Sequence, residues 1–169
     1  MPEGHVIHRL AAHLNSGFRG GPLSVSSPQG RFDASPIDAS SLTLAEAHGK
    51  HLFICFSTGH IVYIHLGLIG SLRFEPARDV WGQIRLRIVA GDVAANLRGP
   101  QFCRYVSPAE MQAILDRTGE DPLRDDASPD ALFARVGASK RTIGSLMMDQ
   151  KLFAGVGNIY RAEALFRQG

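Results

Sequence analysis

The sequence predicts an α+β protein: an N-terminal helix, an antiparallel β-sandwich, and a helical domain after residue 107. Three observations carry this reading. Apolar residues recur at three- and four-residue spacing in the first segment. From about residue 22 the period becomes two, in short runs separated by Gly-rich turns. After Ser107-Pro108 the helical period returns and persists to the end.

Each element has its own signals. In the first segment Val6, Ile7, Leu10, Ala11 and Leu14 form one apolar face, and Asn15-Ser16-Gly17 is the stop. Strands are expected at 22–27, 51–57, 61–66, 71–75, 83–89, 93–97 and 102–106. Their turns fall at Thr58-Gly59, Gly67 to Gly70, Ala90-Gly91-Asp92 and Gly99-Pro100. Seven short strands at this spacing fit a sandwich or barrel. The stretch 28–45, rich in Ser, Pro and Asp, reads mostly as loop. Ser107 caps a helix with Pro108 in its first turn and an apolar face of Met111, Ile114 and Leu115. Gly119-Glu120-Asp121-Pro122 breaks it. Ser128-Pro129 opens a second helix through Leu132, Phe133 and Val136. Ser139 caps a third with Ile143, Leu146 and Met147. A fourth follows Asn158, with Ile159, Ala162, Leu165 and Phe166 expected to face inward. The domains are therefore 1–107, helix and sandwich, and 108–169, helical. No internal repeat or low-complexity tract interrupts them.

Composition narrows the function classes. The chain has 169 residues, is 44% hydrophobic and carries a net charge of +2, an ordinary globular balance. No apolar run approaches the roughly 20 residues of a membrane helix. No basic-then-apolar signal segment opens the sequence, so a cytoplasmic location is expected. Cys55 and Cys103 are too few for a disulfide framework or a four-cysteine zinc site and read as small buried thiols. Charge is uneven. Residues 1–107 and 138–169 are each net +3, and the acidic block 108–137 between them is net −4. Two basic blocks allow a bipartite basic surface, although a neutral chain also fluctuates in this way.

Several groups could carry chemistry. Removal of Met1 would leave Pro2 with a secondary amine. A terminal amine has a reference pKa near 8, against about 10.4 for lysine, so far more of it is free base at neutral pH. Its attack on a carbonyl gives an iminium with a fixed positive charge, an electron sink for elimination. Glu3 follows as a neighbouring acid or base. With Met1 retained, the Pro2 nitrogen is an amide and no nucleophile. Lys50, one of three lysines, precedes an apolar strand, where its cation must snorkel out or pair. In Gly155-Val156-Gly157-Asn158, two glycines ahead of a helix let backbone N–H groups approach a phosphate. Asn158 can cap or donate, and Lys140, Arg141, Lys151 and Arg161 lie nearby. A plain glycine turn between packed helices has the same pattern. The apolar turn at Leu68 and the segment Gln101-Phe102 either wedge into a base stack or form buried hairpins. His5 and His8 stand one helical turn apart, but no cysteine or carboxylate cluster completes a metal site, and none is expected.

In combination these motifs resemble the formamidopyrimidine-DNA glycosylase / endonuclease VIII family of base-excision repair enzymes. The matching residues are Met1-Pro2-Glu3-Gly4, Gly49-Lys50, His65-Leu66-Gly67-Leu68-Ile69-Gly70 and, most specifically, the run from Leu146 to Phe166, similar to the family's helix–two-turn–helix element. The resemblance implies a bifunctional glycosylase and AP lyase acting as a monomer on double-stranded DNA with damaged bases or abasic sites. Pro2 would form a Schiff base and Glu3 would move protons. Lys50 would act beside them and, with Asn158, hold the flanking phosphates. Gly157, Lys140, Arg141 and Lys151 would contact DNA, and Leu68, Gln101 and Phe102 would fill the gap left by the flipped nucleotide.

The family continues past the equivalent of Gly169 into further helices and a zinc or zincless finger, so no cofactor is expected within these residues. A truncated form, with some apolar helical surface left uncovered, is expected instead. The oxidised-purine branch usually has Met at Leu68 and Arg at Gln101. Those two departures, with Gly4, lean toward the endonuclease VIII-like branch and oxidised pyrimidines. A DNA-binding module without catalysis, an oxidised-purine glycosylase, and a tautomerase-like enzyme with a proline base are the alternatives.

Overall fold

The computed structural model describes the whole chain, Met1–Gly169. Helix α1, Gly4–Gly17, buries Ile7, Leu10, Ala11 and Leu14, the face its spacing predicts, and ends at the expected glycine. Eight strands follow: β1 (Ser24–Ser26), β2 (Leu42–His48), β3 (His51–Phe56), β4 (Ile61–His65), β5 (Ser71–Pro76), β6 (Ile84–Ala90), β7 (Val93–Arg98) and β8 (Phe102–Val106). They form two antiparallel four-stranded sheets, ordered β1-β6-β7-β5 and β2-β3-β4-β8. Leu52, Ile54, Val62 and Ile64 of one sheet and Leu72, Leu86, Ile88 and Leu97 of the other share a core with α1. No helix is long and apolar enough to cross a membrane.

Strand β2 corrects the reading of 28–45 as loop, and its chemistry explains why it was hidden. A bulge between Leu42 and Leu44 shifts the phase, so the buried positions are Leu42, Ala45 and Ala47 rather than strict alternates. Alanine and glutamate also disfavour strands. The strand lies at the edge of its sheet, and α1 supplies the missing neighbour. Asn15 donates from Nδ2 to the Ala45 carbonyl at 2.7 Å and accepts the Ala45 N–H on Oδ1 at 2.8 Å, as a paired strand would.

The outer face of that sheet is covered by α2 (Pro108–Asp116). Ser107 and Glu110 form a reciprocal capping box, at 3.1 and 2.8 Å. Met111, Ile114 and Leu115 pack on Phe53, Ile61, Tyr63 and Val106. Helices α3 (Pro129–Gly137), α4 (Ile143–Met147) and α5 (Asn158–Gln168) complete the chain. Leu132, Leu146 and Leu152 make a small second core, supported by Val136 and Phe153.

Two local expectations are corrected. The cap of α4 is Thr142, whose side chain accepts from the Ser145 N–H, whereas Ser139 accepts from the Arg141 N–H one turn earlier. Helix α5 buries no residue, and Ile159, Ala162 and Phe166 face outward, because α4 is only five residues long and cannot cover its apolar side.

Replacing Asn15 with alanine should destabilise the fold by about 1–3 kcal/mol, because two buried backbone groups of β2 lose their partners. Urea unfolding of Asn15→Ala against the wild type measures this. Equal midpoints would show that β2 needs no clamp.

Candidate active site

Three segments far apart in sequence meet backbone to backbone. They are the N-terminal residues ahead of α1, the two-residue turn Gly49-Lys50 between β2 and β3, and the turn Gly155–Gly157 ahead of α5. The Gly4 N–H donates to the Gly155 carbonyl at 2.8 Å. A Cβ on Gly155 would lie 3.0 Å from the Gly4 Cα and 3.1 Å from the Gly49 Cα, and Gly155 also has φ +87°. Only glycines permit this approach.

Glu3 closes the junction. Its side chain is fully buried, and its carboxylate accepts the N–H groups of Gly157 (3.1 Å), Ile159 (2.8 Å) and Tyr160 (3.2 Å). A buried carboxylate needs such partners, and the positive end of a helix provides them. Any Cβ at position 157 would sit 2.4–2.6 Å from Glu3 carboxyl-end atoms. Gly157, expected to donate to a phosphate, therefore donates to Glu3 instead.

A second buried carboxylate escaped the sequence reading. Asp121, read only as part of a helix breaker, accepts the Gly49 N–H at 2.6 Å and the Leu123 N–H at 2.9 Å, and pairs with His8 Nε2 at 2.7 Å. It ties the hairpin turn, the interdomain connection and α1 into one unit. Gln150 braces the turn before α5, donating to the Val156 carbonyl (2.8 Å) and accepting the Gly155 N–H (3.0 Å). No periodicity marks Asp121, because its partners His8 and Gly49 lie on other segments.

Lys50 sits at the tip of the turn rather than within the strand. Burial pushes its ammonium below the ordinary lysine range, and the Glu3 charge partly restores it. His51, the next residue, is held down to about 4 by burial and by His65 and His48. His65 is lowered by burial and by Lys50. One rung of the sheet runs His48–His51–His65–Phe102 across β2, β3, β4 and β8. His65 is thus beside Lys50, a neighbour the sequence did not reveal. The same rung leads to the exposed tips: Leu68 is 71% exposed, Ile69 88% and Phe102 46%. Gln101 packs against Gly67 in the same corner.

The remaining basic residues divide. Arg141 is committed internally, to Asp149 at 2.8 Å and to Ser145, so its guanidinium braces the helical domain. Lys140 and Lys151 are both exposed. Asn158 is exposed at the first position of α5, and its Oδ1 accepts from Arg161. Pro2 is half-buried beside Glu3, with Met1 exposed. Cys55 and Cys103 are free thiols, both raised by burial, Cys103 to about 12. No three His, Cys, Asp or Glu side chains converge as a metal-ligand set.

Comparison with known proteins places this arrangement. Residues 118–169 match the formamidopyrimidine-DNA glycosylase H2TH domain. The Mycobacterium tuberculosis protein named endonuclease 8 1 is 47% identical over 176 residues, covering 99% of this chain and 65% of that protein. The chain belongs to the formamidopyrimidine-DNA glycosylase / endonuclease VIII family. A formamidopyrimidine-DNA glycosylase of Geotalea uraniireducens is 33% identical over 181 residues, covering the whole chain and 66% of that relative. The chain thus spans just under two thirds of the length of these family members. Among solved structures, Lactococcus lactis Fpg in complex with abasic-site DNA superposes with a TM-score of 0.79 over 96% of this chain and 65% of its own, at 16% identity, a likeness of fold. The α+β architecture is the family's.

The depressed His51 has a measurable consequence. Above about pH 6.5 the ring is neutral in both folded and unfolded chains. As pH falls from 6.5 toward 4 the unfolded chain takes up the proton first, so stability is lost across that window. His51→Gln should remove a slope of up to about 1.4 kcal/mol per pH unit there. Chemical denaturation at pH 7, 6 and 5 tests it, and parallel curves for both proteins would contradict it.

Proposed function

We propose that this chain forms the nucleophile-bearing part of a base-excision DNA glycosylase with AP lyase activity, acting on oxidised bases, with a preference for pyrimidines. The observation that carries the reading is the convergence of Pro2-Glu3, Lys50 and the turn before Asn158 at one junction. Removal of Met1 would expose the Pro2 secondary amine there. Its lone pair forms a bond to C1′ as the glycosidic bond breaks and the base leaves with its electron pair. Opening of the sugar ring, with a proton delivered to O4′, leaves an iminium. Loss of the C2′ and then the C4′ proton expels the 3′ and 5′ phosphates in turn.

Glu3 is the nearest carboxylate for these proton transfers. Its first task is positional, since it fixes the residue after the nucleophile against α5. Lys50 and Asn158, both reaching solvent, suit the two flanking phosphates. His65 adds a donor beside Lys50. The exposed Leu68 and Phe102, backed by Gln101, are suited to enter the stack where a nucleotide is turned out. Leu68 and Gln101 support the endonuclease VIII-like preference.

Borohydride trapping on an abasic-site duplex tests the chemistry. The expected result is a covalent adduct that maps to Pro2, disappears in Pro2→Gly, and forms with weaker binding in Asn158→Ala for every lesion alike. An adduct on a lysine, or DNA binding with no adduct, would overturn the nucleophile assignment.

A further inference from the structure

The sheet β1-β6-β7-β5 contains a buried polar network that the reaction does not use. It begins and ends on one surface loop, residues 77–83. The Arg87 guanidinium donates to the carbonyls of Ala77 and Asp79 and, at 2.8 Å, to Asn96 Oδ1. Asn96 donates to Glu75 Oε2 at 2.5 Å, and Glu75 accepts from Arg98 at 2.8 Å. Arg98 returns to the loop through the Trp81 carbonyl at 3.1 and 3.3 Å, and its guanidinium lies 4.0 Å from the centre of the Trp81 ring. Asn96 is fully buried and Arg87 is 7% exposed.

Burying two guanidinium groups is costly, and similar stability is available from apolar residues. What this network provides is a loop whose carbonyls are gripped at three points. The residues so held outward are apolar: Val80 is 59% exposed and Trp81 53%. Arg98 covers part of the indole, yet about half of Trp81 remains exposed to solvent. An arginine-backed aromatic ring exposed in this way suits a flat, π-rich ligand.

The location selects the ligand. Arg98 is the last residue of β7, opposite Ser71 and Ile84. A Cβ on Gly70 would lie 3.0 Å from the Gly99 carbonyl, so the chain next to Arg98 abuts the turn bearing Leu68 and Ile69. Trp81 therefore belongs to the same end of the sandwich as the proposed wedge of Leu68 and Phe102. A wedge that opens a base step leaves nucleobase faces unstacked beside it.

We propose that Trp81 is a base-stacking contact, receiving a nucleobase of the bound duplex on its exposed surface next to the Leu68–Phe102 wedge. The inference rests on the DNA reading above and adds a specific residue and ligand to it.

Trp81 is the chain's single tryptophan, so its fluorescence reports the contact directly. An unlabelled abasic-site duplex should quench the emission by about half and protect it from acrylamide, with fluorescein anisotropy of a labelled duplex reporting binding independently. By anisotropy, Trp81→Ala should weaken binding about tenfold, the scale of one lost base stack, and Trp81→Phe should stay within about twofold. Unchanged emission and acrylamide access at saturating duplex, or full affinity in Trp81→Ala, would overturn this inference alone. Absence of binding by anisotropy would overturn the DNA reading and this contact with it.

Discussion

A single buried carboxylate organises the molecule. Glu3 lies two residues from one end of the chain, and its acceptors are filled by the first N–H groups of a helix more than 150 residues away. An unpartnered carboxylate in that position would cost several kcal/mol, so the pairing fixes the two segments at one distance. The glycines follow from it. Gly157 leaves room for the carboxylate, and Gly4, Gly49 and Gly155 let three backbones meet behind it. A reactive amine at Pro2 would be positioned by this docking rather than by its own contacts.

The same device recurs. Asp121 joins α1, the hairpin turn and the interdomain connection through one carboxylate, and Glu75 sits in the closed network beneath the 77–83 loop. In each case an acidic group takes its donors from other segments and sets the place of a surface feature. The junction, the turn with Lys50 and the loop with Trp81 are held by buried polar groups at the margins of the apolar core. The core itself, shared by two sheets and α1, supplies stability and a common frame.

Much of this was legible in the sequence, and the exceptions have physical reasons. Residues whose environment repeats with a regular period were readable, Ile7 to Leu14 on α1 and the seven alternating strands, and so was Ser107 as the cap ahead of Pro108. Strand β2 was not, because a bulge broke its period and Asn15, on another element, supplies its partner. The grouping of Pro2, Glu3, Lys50 and Asn158 was legible through family motifs. The use of Gly157 was not, since a helix N-terminus attracts any anion, and here the anion is a side chain of the same protein. The role of Asp121 and the placing of His65 beside Lys50 were hidden for a related reason: they depend on segments brought together only by folding. The outward apolar face of α5 shows the limit of amphipathic spacing, which identifies a face without naming its cover.

The central claim is that the Glu3 carboxylate, and not general packing, docks α5 onto the N-terminal segment. Amide hydrogen exchange resolves this residue by residue. In the native protein the N–H groups of Gly157, Ile159 and Tyr160 should be protected. In Glu3→Ala their exchange should accelerate about tenfold or more, while core strand amides such as Ile54 and Ile64 keep their rates. Equal protection of the three amides in both proteins would contradict the account.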